Sequence, residues 1–346
     1  MSRIPLPYNP KVMDLFRNPK NLGKMEDATV VAVALNLGVA AAAAALARRH
    51  APSRSVAVET QSAPRARGVG AIYVATAVSG TTALAAEVLW ARHLSLLLGG
   101  TVYTFALIVA VLLLGLGIGS AVGAAAGKRV DPRIALASCQ ALLALAMAAA
   151  AYAMARSLPF WPIDVTLPTT AAVALQLDLL RVTYVVFPAA LLWGASFPLA
   201  LAAATAAGEE PRRAVGLLYA ANTCGAVFGA LATTFVLVVV FGSQRAAQLM
   251  ILASVAAAVL LLVRYRGFEA RGLQRAAGTA AACALAAIAV PALPAGLVAY
   301  GRFLPTRGLN ANVVYVGEGV TASIAVTEEP DGTLTYHNAG KTQAST

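Results

Sequence analysis

Thr101-Val-Tyr-Thr-Phe-Ala-Leu-Ile-Val-Ala-Val-Leu-Leu-Leu-Gly115-Leu-Gly-Ile-Gly119-Ser-Ala-Val-Gly123-Ala-Ala-Ala-Gly127 contains no charged side chain. As a helix it is long enough to cross the roughly 30 Å hydrocarbon core of a bilayer. Gly115, Gly119, Gly123 and Gly127 recur every four residues, with Gly117 and Ser120 between them. That spacing strips one helix face of side chains and lets another helix backbone approach closely. Gly115-Leu-Gly-Ile-Gly119 superficially matches a nucleotide loop, but it sits inside an apolar run rather than between a strand and a helix. It reads as a packing face in a membrane.

The flanking sequence has the same character. The chain of 346 residues is 59% hydrophobic and only 12% charged. This composition excludes an ordinary soluble globular protein and predicts an all-α polytopic membrane bundle of seven or eight transmembrane helices. Apolar runs at about 29–47, 70–98, 101–126, 133–155, 182–206, 215–241, 245–263 and 276–300 are the expected spans. The first is short, and the last is Ala-rich and holds Pro291 and Pro294. Between them, 156–181 is more polar, with Pro159, Pro162 and Pro168, and is expected as a loop with an interfacial piece at Trp161. Four parts follow: a polar N-terminal segment (1–28), a first apolar helix with a basic linker (29–69), a multi-helix membrane module (70–300) and a β segment (301–346). In the first, Asn9 can cap a short helix with Pro10 at its first position. Pro5, Pro7 and Pro10 among polar neighbours do not suggest a cleavable signal peptide.

The net charge of +11 does not indicate nucleic acid, because the basic residues form short clusters between apolar runs. Lys128, Arg129 and Arg133 form one, Arg212 and Arg213 a second, and Arg264, Arg266, Arg271 and Arg275 a third. If all are cytoplasmic, so is the Arg48–Arg67 linker. The N-terminus then lies outside if 29–47 spans, and the β segment outside if 276–300 spans. The expected location is the inner (plasma) membrane, with lipid as the main partner. Cys139, Cys224 and Cys283 lie far apart in apolar runs and read as small core residues, with no metal or disulfide expected.

At the C-terminal end the pattern changes to strands: Val313-Val-Tyr-Val316, Thr321-Ala-Ser-Ile-Ala-Val-Thr327 and Thr333-Leu-Thr-Tyr-His337. Glu329-Pro330-Asp331-Gly332 predicts a hairpin turn, with Pro presetting φ and Gly accepting a positive φ. A lone hairpin is marginal in water, so 301–346 is expected to open a further soluble domain.

Polar groups within the apolar runs are few. Glu87, in Ala83-Leu-Ala-Ala-Glu-Val-Leu-Trp90, must face protein or water and find a partner, for which Arg181 or Asn222 is better placed than Arg92. It is either a structural anchor or a proton-carrying or substrate-binding group. Arg92 and His93 are expected near an interface, and Asp178 and Arg181 have the spacing to pair on one helix. Gly225 and Gly229 suggest a second, shorter close contact.

These residues carry a resemblance. Ser79-Gly80, Glu87-Val-Leu-Trp-Ala-Arg92-His-Leu-Ser-Leu-Leu-Leu-Gly-Gly-Thr-Val-Tyr103 and Leu114-Gly-Leu-Gly-Ile-Gly-Ser120 resemble the membrane module of bacterial membrane-fused spermidine synthase-like proteins. Phe197-Pro198-Leu199 and Gly216-Leu-Leu-Tyr-Ala-Ala-Asn222-Thr-Cys-Gly225-Ala-Val-Phe-Gly229-Ala do likewise, so the likeness covers residues 70–346. In that family a helix bundle precedes a polyamine aminopropyltransferase-like domain, which opens with a small β-sheet and continues into a methyltransferase-like α/β fold. The resemblance implies that Gln343 in Asn338-Ala-Gly340-Lys-Thr-Gln343 contacts decarboxylated S-adenosylmethionine, the substrate of the complete domain. The nucleoside-binding loop, ribose-binding acid and catalytic Asp have no counterpart here, so no catalytic residue is expected and the chain alone should be inactive. A separate chain could supply the rest. The alternative is a small-molecule transporter or flippase-like bundle using Glu87.

A second resemblance lies in Tyr8-Asn-Pro-Lys-Val-Met-Asp-Leu-Phe16-Arg-Asn18-Pro19-Lys-Asn21-Leu-Gly23-Lys-Met-Glu-Asp27, which is similar to the start of iron–sulphur cluster assembly scaffolds. No cysteine follows before Cys139, so cluster binding is not expected. Residues 33–49 resemble the family's last bundle helix, which suggests a tandem module.

Overall fold

A computed structural model of the chain describes residues 68–161, 170–266, 270–308 and 312–346. The expected polar segment 1–28, the apolar run 29–47 and the basic linker lie outside the described residues, as do the side chains of Arg266, Arg271 and Arg275.

The described chain forms helices α1 (Val69–Leu98), α2 (Val102–Ala126), α3 (Pro132–Tyr152), α4 (Ala171–Ala206), α5 (Pro211–Ala232), α6 (Gly242–Arg266), α7 (Ala270–Ile288) and α8 (Ala295–Tyr300). A four-stranded sheet follows. Local chemistry sets several of the boundaries. The Thr101 hydroxyl accepts from the Thr104 amide to cap α2, and Asp131 accepts from the Arg133 amide, with Pro132 in the first turn of α3.

Two boundaries differ from the expected ones. α4 begins at Ala171, so the loop expected over 156–181 is shorter: the Thr170 hydroxyl caps a run of good helix formers, Ala171-Ala-Val-Ala-Leu-Gln-Leu. The span expected at 276–300 is not one helix. α7 ends at Ile288, and Pro291 and Pro294, which lack an amide donor, interrupt the helix before α8.

Five helices among the described residues are long and apolar enough to cross a bilayer. The last of these, Pro211–Tyr265, is 55 residues long. Wide π-helical turns over Thr233–Phe241 carry α5 to Gly242, whose φ of 79° and ψ of 163° break the helix before α6 turns back. The two halves therefore cover the bundle twice, in opposite directions.

Two ends of the bundle can be named from side-chain contacts. At one, Arg133 donates to the Ala206 carbonyl at the end of α4 (3.4 Å) and stacks over Tyr265 at 5.4 Å. Tyr265, near the end of α6, donates to Asp131. Burial opposes ionisation of Asp131, but the Tyr265 hydroxyl and the Arg133 amide outweigh it and hold the carboxyl below its ordinary range. Lys128, Arg129, Arg212, Arg213 and Arg264 occupy this same basic end. At the opposite end, α6 begins at the sheet, and the Gln244 amide donates to the Val290 carbonyl beyond α7 (2.9 Å). α7 thus returns the chain to the sheet end.

Strands β1 (Asn312–Glu318), β2 (Ser323–Glu328), β3 (Leu334–Asn338) and β4 (Lys341–Ser345) form an antiparallel meander in chain order. The Glu329–Gly332 turn forms as expected, with Gly332 at φ 86° and its amide on the Glu329 carbonyl. The β3–β4 turn places Ala339 (φ 48°) and Gly340 (φ 79°) in the left-handed region, the pattern of a tight primed hairpin turn. Docking holds Ala339 there: its amide donates to the Ser323 carbonyl, and the next amide, of Gly340, donates to Val298 in α8. On the face towards α8, Thr327 and His337 share a 2.8 Å hydrogen bond, and the His337 ring lies 4.8 Å from that of Tyr300.

Candidate functional site

The glycine strip meets its partner in α4. A Cβ at Gly115, Gly119 or Gly123 would overlap Ala190, Leu191 or Ala195 in turn, and one at Gly127 would press on Ala202. The matched order makes α2 and α4 parallel. Gly194 answers from the other side, set against the Leu116 backbone. Gly117 faces open space. The shorter pair behaves alike: Gly225 and Gly229 lie against Ala77 and Thr81 of α1.

The buried polar candidates do not converge. Glu87 is half-buried on α1 and has no hydrogen bond or ion pair among the described residues. Arg181 pairs with Asp178 at 3.3 Å and is thereby occupied. Asn222 packs with its carbonyl and side-chain oxygen against Gly80, about two helical turns from Glu87. Neither of the partners expected for Glu87 serves it. Gln343 lies exposed on β4, its side chain without a hydrogen bond among the described residues. Cys139 and Cys283 are buried as expected, whereas Cys224 is exposed; none is in a disulfide.

Arg92 has a role that the sequence did not reveal. Its two terminal nitrogens donate to the carbonyls of Gly319 and Val320, each at 2.8 Å, in the β1–β2 turn. Beside it, Glu318 accepts from the Ser243 hydroxyl at 2.6 Å and from the Ser243 amide. Gly301 and Gly340 pack backbone to backbone. Together these contacts fasten the sheet to the ends of α1 and α6. All join residues distant in sequence, so no local spacing announced them.

Further polar ties lie within the bundle. Trp193 donates to Thr82 (3.1 Å) and stacks at 5.4 Å on Trp90, and Gln140 donates to Ser196 (3.0 Å). His93 is buried with no partner for either ring nitrogen among the described residues. Among the described residues, no group of three or more His, Cys, Asp or Glu side chains is arranged to hold a metal. No family model, curated protein or solved structure matches the chain.

Proposed function

We propose that the chain is the membrane module of a spermidine synthase-like protein, crossing the inner membrane seven or eight times. Its own work is to hold a β-sheet in fixed orientation on the non-cytoplasmic end of the bundle. One observation carries this: Lys128, Arg129, Arg133, Arg212, Arg213 and Arg264 gather at the end remote from the sheet. Short basic loops stay in the cytoplasm, which assigns that end inward and the sheet outward. A nucleoside-sulphonium substrate is cytosolic, so in this orientation the sheet is a scaffold and not the root of an active aminopropyltransferase. The outward face of the sheet leaves Tyr315, Leu334 and Tyr336 exposed. An apolar face of this kind suits further structure, in the same chain or a separate one.

An Ala344→Cys substitution on exposed β4, in a Cys224→Ala background, tests the orientation. A membrane-impermeant maleimide is expected to label it in intact cells. Labelling only after the cells are opened would overturn the scaffold and restore aminopropyl transfer as the leading reading.

The transporter reading rests on Glu87, a half-buried carboxylate without a hydrogen-bond or ion-pair partner among the described residues. A Glu87→Gln chain that folds and moves candidate solutes at the parent's rate removes that support.

A further inference from the structure

Beneath the sheet lies a small cavity lined by Trp90 and His93 of α1, Met147 and Met154 of α3 and its extension, and Ser243 and Met250 of α6. Two features set it apart. His93 is only 8% exposed, yet neither Nδ1 nor Nε2 has a hydrogen-bond partner among the described residues. Leaving such a group unsatisfied is costly, so native interiors seldom do so without a bound ion or water. Met147, Met154 and Met250 are also the only methionines in residues 68–346, and all three line this one cavity.

The free volume is about 30 Å³. That is room for one ion or one or two waters, and too little for an organic ring. The lining selects the ion. Thioethers are soft, uncharged ligands, and imidazole is intermediate. Hard cations require several oxygens, and among the described residues no carboxylate lines the cavity. A doubly charged ion would also be poorly neutralised here. Glu318, bound to Ser243 in the cavity wall, and Arg92 beside it offset one another, and such near-neutral surroundings oppose a single positive charge less than a double one.

We propose that this cavity is a binding site for a cuprous ion, ligated by His93 and the methionine thioethers. Ligation gives an imidazole nitrogen its missing partner and places one soft cation among soft ligands, under the sheet and close to the end where α6 begins. The opposing view is that methionine fills irregular gaps in a core. Leucine conserves that volume but removes the sulphur, so the two accounts separate cleanly.

The test uses the full chain in detergent, with Cys139, Cys224 and Cys283 changed to Ala to remove thiolate sites. Cu(I), kept reduced by ascorbate, is titrated against bicinchoninate, and the metal-loaded protein is examined by X-ray absorption. The parent is expected to retain one Cu(I) with sulphur and nitrogen neighbours. The combined Met147→Leu, Met154→Leu and Met250→Leu chain should lose at least about 100-fold in affinity, since even outer-shell losses cost roughly 10–100-fold. His93→Leu should do likewise. A parent that surrenders all its Cu(I), or a leucine chain that binds as tightly, overturns the site. Absorption data without sulphur neighbours overturn it whether or not the variants fold.

Discussion

Where α2 meets α4, side chains are absent and two backbones lie in contact; where α1 meets the sheet, long side chains reach out to grip main chain and hydroxyl. The difference follows the surroundings. Lipid is as apolar as leucine, so helices inside it gain little from burying apolar side chains and gain instead from close backbone approach. At the bundle end Arg92 and Glu318 keep contact with water while forming charge-assisted hydrogen bonds, which are stronger than neutral ones. Glycine substitutions should therefore act on the bundle, and charge substitutions on the junction alone.

The largest effect is expected at Gly119. A Cβ there overlaps the Leu191 backbone, which lacks the freedom of a side-chain tip to move away. Gly119→Ala should cost about 3 kcal/mol by overpacking. Gly117→Ala, two residues along but facing open space, should be neutral or stabilising by up to about 1 kcal/mol. Detergent denaturation of the two proteins side by side measures the contrast. Equal stabilities would break the account of the strip.

Next comes Arg92. Arg92→Ala removes both hydrogen bonds to the β1–β2 turn and should weaken the junction by about 2 kcal/mol, with Arg92→Lys recovering part of it. Hydrogen exchange should rise in β1 and β2 and remain unchanged in α2 and α4. Glu318→Gln loses the charge on Ser243 but keeps an acceptor, so a smaller loss of about 1 kcal/mol is expected by the same measurement.

The smallest effect is a pH dependence confined to the sheet. Burial pushes the His337 imidazole below its ordinary value of about 6.5, outweighing the opposite pull of Glu329. As pH falls through that value the unfolded sheet takes up the proton first. The stability of the sheet is therefore complete above about pH 6.5 and declines from there towards the folded pKa. Protection factors in β2 and β3, referred to the intrinsic exchange rate at each pH, should fall between pH 7.5 and pH 5, and His337→Phe should flatten the profile.

Much of this contrast is legible in the amino-acid sequence. The four-residue glycine period and the Asp178–Arg181 spacing are local, and helix geometry alone turns them into a face and a pair. The Glu329–Gly332 turn has its own chemistry, and it formed. Gly80 and Gly194 stood outside any period, so their roles depended on Asn222 and Leu116 arriving from other helices. Arg92 was legible as an interfacial charge, but its partners lie more than two hundred residues on. β4 escaped notice because Lys341-Thr-Gln-Ala-Ser345 is polar throughout and exposed along its length, so no alternation marked it. Glu87 was conspicuous as a carboxylate in an apolar run. Its surroundings, which decide its role, depend on the packing of whole helices.

Through the Arg92 and Glu318 contacts the bundle and the sheet form one unit and not a bundle with a tethered tail. Spin labels at Val102→Cys on the exposed start of α2 and Ala344→Cys on β4, with Cys224 removed, test it through their distance distribution in nanodiscs. A single narrow distribution that broadens in Arg92→Ala is the expected result. A distribution already broad in the parent, and indifferent to Arg92, would contradict the account.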